Sequence, residues 1–168
     1  MSEATKVPAR VDVKSFWMTL GERAIGMTVV TANGDDGPAG FLGLSATHVT
    51  ADPPTMLVSI DRKTSALAAV LSGQHFAVNF LDADAGHVAD AFSGKAGLSG
   101  AERFAPGEWA TLITGAPVYN EALGVFDCRV EKVIEHGDTS IVIGAVVGTQ
   151  ARGSGDPLVF FRGKTAAR

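Results

Sequence analysis

The segment from Val125 to Gly148 limits the fold more than any other part of this 168-residue chain. From Val125 to Ile134 the residues alternate, with Phe126, Cys128 and Val130 on one face and Asp127, Arg129 and Glu131 on the other, which is the period of an extended strand. Glu135-His136-Gly137-Asp138-Thr139 reads as a turn, and Ile141 to Gly148 as a second strand, apolar on both faces. The pair is predicted to be a hairpin at the core of a β protein.

Other segments read as strands of the same kind. Met27 to Ala32 is short and β-branched, and Asn33-Gly34-Asp35-Asp36-Gly37 is a turn signal that makes a hairpin with the extended stretch Gly37 to His48. A Pro53-Pro54 corner leads into Thr55 to Ile60, and His75 to Leu81 and Pro157 to Gly163 complete the set. Helices are expected in three places. Asp12 caps the first, whose apolar stripe of Phe16, Trp17, Leu20 and Ala24 ends at Gly26, with Phe16 and Trp17 read as core. Residues 66–73 form the second, and residues 82–92, capped by Asp82 or Asp84, the third. Ser93 to Pro117 is glycine-rich and reads as a long irregular loop carrying Arg103, Phe104 and Trp109, the kind of loop that is usually functional. The tail after Gly163 is expected to fray.

Many short strands and few short helices predict a mainly β, antiparallel barrel with helices at its rim, an open sandwich being the alternative. One domain over residues 11–165 is expected, after a flexible N-terminus of residues 1–10. Charged residues are 19% and glycines number 20, which fits a turn-rich globular chain. A net charge of -4 without a basic run argues against nucleic acid. The single cysteine excludes an internal disulfide and any CxxC site, and no apolar run reaches the length of a membrane span, so a cytoplasmic protein is expected.

The chain has no G-x-G-x-x-G after a strand, no Walker loop, no G-x-S-x-G and no H-E-x-x-H, and its four histidines never fall at ligand spacing, so no metal site is expected. Cys128 reads as a small core residue rather than a nucleophile. His48 and His136 read as strand-end histidines, although His136 at a hairpin tip could reach a ligand over the barrel mouth. Two stretches carry more chemistry. Gly37, Gly40 and Gly43, followed by small hydroxyls, read as a surface that a ligand approaches closely. Arg62, Lys63, Thr64 and Ser65 open a short helix and read either as an ordinary cap or as a phosphate cradle.

The run from Gly26 to Leu81, with Ala91-Phe92, Arg103-Phe104, Trp109, Gly115-Ala116-Pro117, Asp127-Cys128, Gly137-Asp138 and Pro157 to Gly163, resembles the flavin reductase family of two-component monooxygenases. The likeness covers nearly all of the chain after residue 15. It implies a split β-barrel, usually a homodimer, that binds FMN or FAD and passes hydride to it from NADH or NADPH, supplying a partner monooxygenase. Flavin contacts are implied at Pro38, Ala39, Gly40, Phe41, Leu42, Leu44, Ser45, Ser59, Ile60, Asp61, Ser65, Ala66, Ala91 and Phe92, with Arg62 and Thr64 added from the cradle reading. Nicotinamide contacts are implied at Phe160, Phe161, Arg162 and Gly163, with His136 and Thr139 at the hairpin tip. No side chain is expected to act as an acid or base, because the hydride passes between cofactors. The chain departs from the family at that tip, where Thr139 replaces the usual histidine and His136 precedes Gly137, and after Gly163, where Lys164-Thr165 replace an aromatic. Two other readings stay open: a flavoprotein that reduces a bound corrinoid or ferric complex, and a non-catalytic flavin- or haem-binding split barrel.

Overall fold

In the computed structural model, which describes residues 9–167, the long hairpin forms as its pattern predicts. The strands named below follow chain order: β1 (Ile25–Gly26), β2 (Thr28–Gly34), β3 (Gly37–Leu42), β4 (Thr47–Ala51), β5 (Pro54–Asp61), β6 (His75–Phe80), β7 (Trp109–Ala110), β8 (Val118–Tyr119), β9 (Gly124–His136), β10 (Thr139–Ala151), β11 (Leu158–Phe161) and β12 (Lys164–Ala167). Three α-helices, α1 (Val13–Leu20), α2 (Ser65–Gly73) and α3 (Gly86–Ser93), and a 3-10 helix over Gly100–Phe104 accompany them. In the hairpin, β9 and β10 pair antiparallel from His136–Thr139 to Gly124–Ala151 around a two-residue turn, where Gly137 takes a φ of 57°. The β2–β3 hairpin closes at Gly34–Gly37 on Asp35 and Asp36, as the turn signal indicates.

Seven strands form one antiparallel sheet in the order β3-β2-β6-β9-β10-β5-β4, beside a three-stranded sheet β1-β11-β12 and the pair β7-β8. Consecutive strands β3 and β4 are therefore the two opposite edges of the large sheet. Laid flat, those edges would stand roughly 29 Å apart, six interstrand spacings, whereas the chain from Leu42 to Thr47 reaches at most about 18 Å. The sheet must curl. Two sets of bonds hold the curl: Gly43 and Thr28 bond in both directions, the Gly43 N–H donating to the Thr28 carbonyl at 2.8 Å while the Thr28 hydroxyl donates to the Gly43 carbonyl. At the other end of the link, the Ser45 hydroxyl donates to the Ser59 carbonyl of β5 and accepts from the Ser59 N–H, each at 3.2 Å, extending the β4–β5 pairing.

The curl gives the central strands two buried faces. Val30, Val58, Ile60, Phe76, Val78, Cys128 and Val142 fill one core with Ala66, Leu67 and Val70 of α2. On the other face Val29, Ala77, Leu81 and Val125 pack with Val88, Ala89 and Phe92 of α3. The alternation of β9 is thus correct in phase, but its second face is not solvent throughout. Asp127 is fully buried there and accepts from the Ile113 N–H at 2.7 Å, the Thr114 N–H at 2.9 Å and the Thr114 hydroxyl, which fixes the loop before Pro117. Cys128 is buried as expected, and burial first, then the neighbouring Asp127 charge, push its thiol up to about 12, so it stays protonated and inert as a nucleophile.

Several sequence expectations need correction. Asp12 caps α1 through the Ser15 N–H at 3.0 Å, but Phe16 and Trp17 are 54% and 62% exposed and the helix buries no residue. An apolar stripe names a face to be covered, not the surface that covers it. The extended stretch from Gly37 breaks at Leu42, because Gly43–Ala46 must turn to bridge the edges. Neither Asp82 nor Asp84 caps α3, which starts at Gly86, since Asp82 faces Arg152 instead, at 3.0 Å. The loop from Ser93 to Pro117 holds the 3-10 helix and β7. The tail does not fray: Lys164–Ala167 pairs with Leu158–Phe161. Residues 1–8 of the N-terminus expected to be flexible lie outside the described residues. Among the described residues no helix is long and apolar enough to cross a membrane.

Candidate functional site

The start of α2, at the end of β5, leaves backbone donors free. Asp61 ends β5, and its carboxylate accepts from the Lys63 N–H at 2.8 Å while its carbonyl accepts from the Thr64 N–H at 2.9 Å. Thr64 occupies the N-cap position in an extended conformation, yet its side chain caps nothing. The N–H groups of Ser65 and Ala66 consequently have no partner among the described residues, which is the condition for an anion site at a helix start. An ordinary side-chain cap, the alternative reading of this stretch, is excluded by that geometry. Arg62 and Lys63 are exposed and add two positive charges.

The β9–β10 tip stands beside this helix start. Thr139 pairs with Asp61 across β10 and β5, and the Arg62 N–H donates to the Asp138 carbonyl at 2.9 Å. The Arg62 guanidinium forms an ion pair with Glu135 and donates to the Gly137 carbonyl at 3.4 Å. His136 is exposed at the same tip, opposite Thr139. Directly below, the Ser140 hydroxyl is sealed and has no hydrogen-bond partner.

The second stretch of the expected site is built differently from the sequence reading. Gly37 is a turn glycine with a φ of 98° and open space around it. Gly40 and Gly43 do permit a close approach, but of the chain's own side chains. A Cβ on Gly40 would meet the Phe92 ring at 2.7 Å and the Val30 carbonyl at 2.9 Å, and one on Gly43 would meet the Val30 Cγ2 at 2.6 Å. Core packing is enough to account for the missing side chain at both positions. The Ser45 hydroxyl already donates its hydrogen to Ser59, so only acceptor capacity remains for anything bound there.

Burial divides the expected flavin residues. Ala39, Gly40, Ile60, Ala66, Ala91 and Phe92 are buried. Pro38, Phe41, Leu42, Leu44, Ser45, Ser59, Asp61, Arg62, Thr64 and Ser65 keep accessible surface, along the free edge of the sheet and onto α2. Together they form an open surface, and a cleft touches this set at Pro38, where Asn33, Phe104 and Trp109 also line it. Arg103, which residue spacing did not single out for the site, lies on this edge and donates to Leu98 at 3.1 Å, Gly40 at 3.4 Å and Phe92 at 3.5 Å. An arginine inside a glycine-rich segment has no period that would reveal its direction.

The expected nicotinamide residues fall into two places. His136 and Thr139 stand at the hairpin tip. Phe160, Phe161, Arg162 and Gly163 belong to the small sheet, where Arg162 has a φ of 49° and its N–H donates to Gly21 at 3.0 Å. Its guanidinium pairs with Glu22 at 2.7 Å and lies 4.9 Å from the centre of the Phe161 ring. The hydrogen bond and charge of Glu22 raise the Arg162 pKa above its ordinary value. No hydrogen bond or strand pairing joins the two places. Among the described residues no cluster of His, Cys, Asp or Glu could hold a metal ion, and none is expected.

Comparison with known proteins adds an independent line. The family model described as "flavin reductase like domain" matches residues 20–167. A relative named FMN reductase (NADH) RutF from Ancylobacter novellus is 34% identical over 160 residues, covering 95% of this chain and 87% of its own. The crystal structure of BorF, the flavin reductase component of a bacterial two-component tryptophan halogenase, superposes with a TM-score of 0.84 at 32% identity, over 93% of this chain and 98% of that one. A Streptomyces globisporus NADH:FAD oxidoreductase, SgcE6, solved with NAD and FAD fragments, has a TM-score of 0.82 at 25% identity, over 94% and 95%.

Gly40→Ala separates packing from ligand clearance. With Phe92 and Val30 in the way, the substitution should destabilise the ligand-free protein by about 1–3 kcal/mol in urea unfolding. An unchanged midpoint would return Gly40 to a role in ligand approach.

Proposed function

This chain belongs to the flavin reductase family, and on that premise we propose that it is an NADH-dependent FMN reductase whose flavin phosphate is held at the start of α2. The observation that carries the reading is the pair of unpartnered N–H groups of Ser65 and Ala66 beside Arg62 and Lys63. A phosphate dianion fits that donor set and its charge. The accessible edge formed by Pro38, Phe41, Leu42, Leu44 and Ser45 then takes the flavin ring, with Ser59 and Asp61 between ring and phosphate. NADH as donor and FMN as flavin follow the name of the curated relative.

The bound flavin supplies the redox chemistry by accepting a hydride from the reduced nicotinamide. The chain's own residues bind and orient. Ser65 and Ala66 donate to the phosphate, Arg62 and Lys63 balance its charge, and Arg103 fixes the edge against α3 through the Gly40 and Phe92 carbonyls. On the small sheet, Phe161 offers a partly exposed aromatic face for the nicotinamide nucleotide, steadied by the Arg162–Glu22 pair. The curled seven-stranded sheet supports the split-barrel reading of the architecture.

Two further parts of the proposal concern partners. A homodimer accounts for α1, whose Val13, Phe16, Trp17 and Met18 stay exposed in the single chain, and for a site that is open on one side. The reduced flavin is passed to a separate flavin-dependent oxygenase or halogenase, a reading supported by a structural relative that is one component of such a system.

Purified protein mixed anaerobically with NADH should oxidise it, followed by nicotinamide absorbance, only when FMN is supplied. Oxidation without flavin, or none with it, would overturn the assignment. Joint substitution Arg62→Ala and Ser65→Pro, the proline removing the Ser65 N–H at a first helical position that tolerates it, should weaken FMN binding about tenfold or more, the scale of lost charge-assisted hydrogen bonds, and an unchanged affinity would remove the cradle. Trp17→Glu should shift sedimentation from dimer to monomer, and a wild-type monomer would end the dimer reading.

A further inference from the structure

Two apolar surfaces stay bare among the described residues, and the fold holds them apart. The first is α1. Val13, Phe16, Trp17 and Leu20 recur at i, i+3, i+4 and i+7, which lines them along one side of the helix, and they are 73%, 54%, 62% and 36% exposed. The second is a groove of about 560 Å³ at the open end of the β9–β10 hairpin. Its lining includes Phe80 and Phe126, whose rings stand at 89° with centroids 5.7 Å apart, together with Met27, Leu123, Ala151 and Pro157. No charged side chain lines it.

The chain's own α1 is kept out of this groove. Just past the helix, the Gly21 carbonyl accepts from the Arg162 N–H at 3.0 Å, and Glu22 pairs with the Arg162 guanidinium at 2.7 Å, so the helix end is fixed at the β11–β12 turn. From there β1 runs along β11, with Ile25 on Phe160 and Gly26 on Val159, and meets the groove at Gly26. Helix end and groove thus lie at opposite ends of β11, and α1 buries no residue.

Charge and size decide the occupant. A groove without charge has nothing to offset the desolvation of an ion, so its occupant is apolar. The α1 stripe is apolar, and roughly 400 Å² of it stands exposed, judged from the area that such side chains carry. In a symmetric pair each stripe meets the other copy's groove, so the contact is made twice. Both sides of both contacts then bury about 1,600 Å², the size of a stable, specific interface. We propose that α1 of one copy docks in the Phe80–Phe126 groove of a second copy, and reciprocally, in a two-fold dimer. The proposal rests on the dimer reading above and gives it a receptor surface. Gly26 at the rim has no atom within 4 Å of where a Cβ would stand, which leaves room for the helix backbone to come close.

Sedimentation of the intact protein and its variants tests this. Ala151→Arg brings a charge to the groove from an exposed strand end, and Gly26→Arg does so from β1, into open space. Each should weaken dimerisation about 30-fold or more, the scale of a lost aromatic anchor, as Trp17→Glu does from the helix side, with the wild-type circular dichroism spectrum retained. Mixing the Trp17→Glu and Ala151→Arg variants should restore a dimer, because the mixed pair holds one unaltered contact and one in which glutamate meets arginine. Recovery in trans also shows that both variants are folded. A wild-type monomer would overturn this proposal together with the dimer reading. A dimer dissolved by Trp17→Glu but indifferent to Ala151→Arg and Gly26→Arg would keep the dimer reading, leave the groove to another apolar occupant and overturn the proposal. Failure of the mixed variants to associate would overturn it as well.

Discussion

Leu42 and Thr47 end and begin strands at opposite edges of a seven-stranded sheet, and four residues, Gly43 to Ala46, join them. That short link forces the sheet to curl, and the curl decides the rest. It gives β2, β6 and β9 a core on each side, and the link itself is tied down by Gly43 on Thr28 and Ser45 on Ser59. It also brings the accessible edge of β3 round toward the end of β5, where α2 begins. Gly43 is a condition of the turn, because any Cβ there would strike Val30.

The helix start follows from how β5 ends. Asp61 satisfies the Lys63 and Thr64 N–H groups, which leaves the next two, of Ser65 and Ala66, without a partner. The β9–β10 tip reaches the same point because Thr139 is in register with Asp61. Arg62 is held between the tip and the helix by Glu135 and Gly137. Lys63 stands exposed beside the two free N–H groups, and Arg62 beside it is shared with Glu135.

Local patterns made much of this legible. Asn33 to Gly37 and Glu135 to Thr139 marked both hairpins, since two-residue turns have strong residue preferences. Alternation placed Cys128 in the core. The misreadings share a cause: each depended on a partner remote in sequence. The period of two placed Asp127 on the face of Arg129 and Glu131 and could not show that Ile113 and Thr114 would cover it. Phe16 and Trp17 looked buried because their stripe is apolar, yet nothing among the described residues covers it. Gly40 and Gly43 looked like clearance for a ligand, when Phe92 and Val30 occupy the space. Of the candidate site, the start of α2 was visible as a choice between cap and cradle, and the Thr64 side chain, which makes no capping bond, removes the first of these.

The most direct test of the account is an amide nitrogen–proton spectrum of the protein titrated with FMN. The Ser65 and Ala66 N–H groups should move farthest, shifting downfield as they donate to phosphate, with smaller changes at Gly137 to Thr139. Riboflavin, which lacks the phosphate, should leave those two amides nearly unmoved. Equal shifts with riboflavin, or changes centred elsewhere while Ser65 and Ala66 stay still, would contradict a flavin phosphate held at the start of α2.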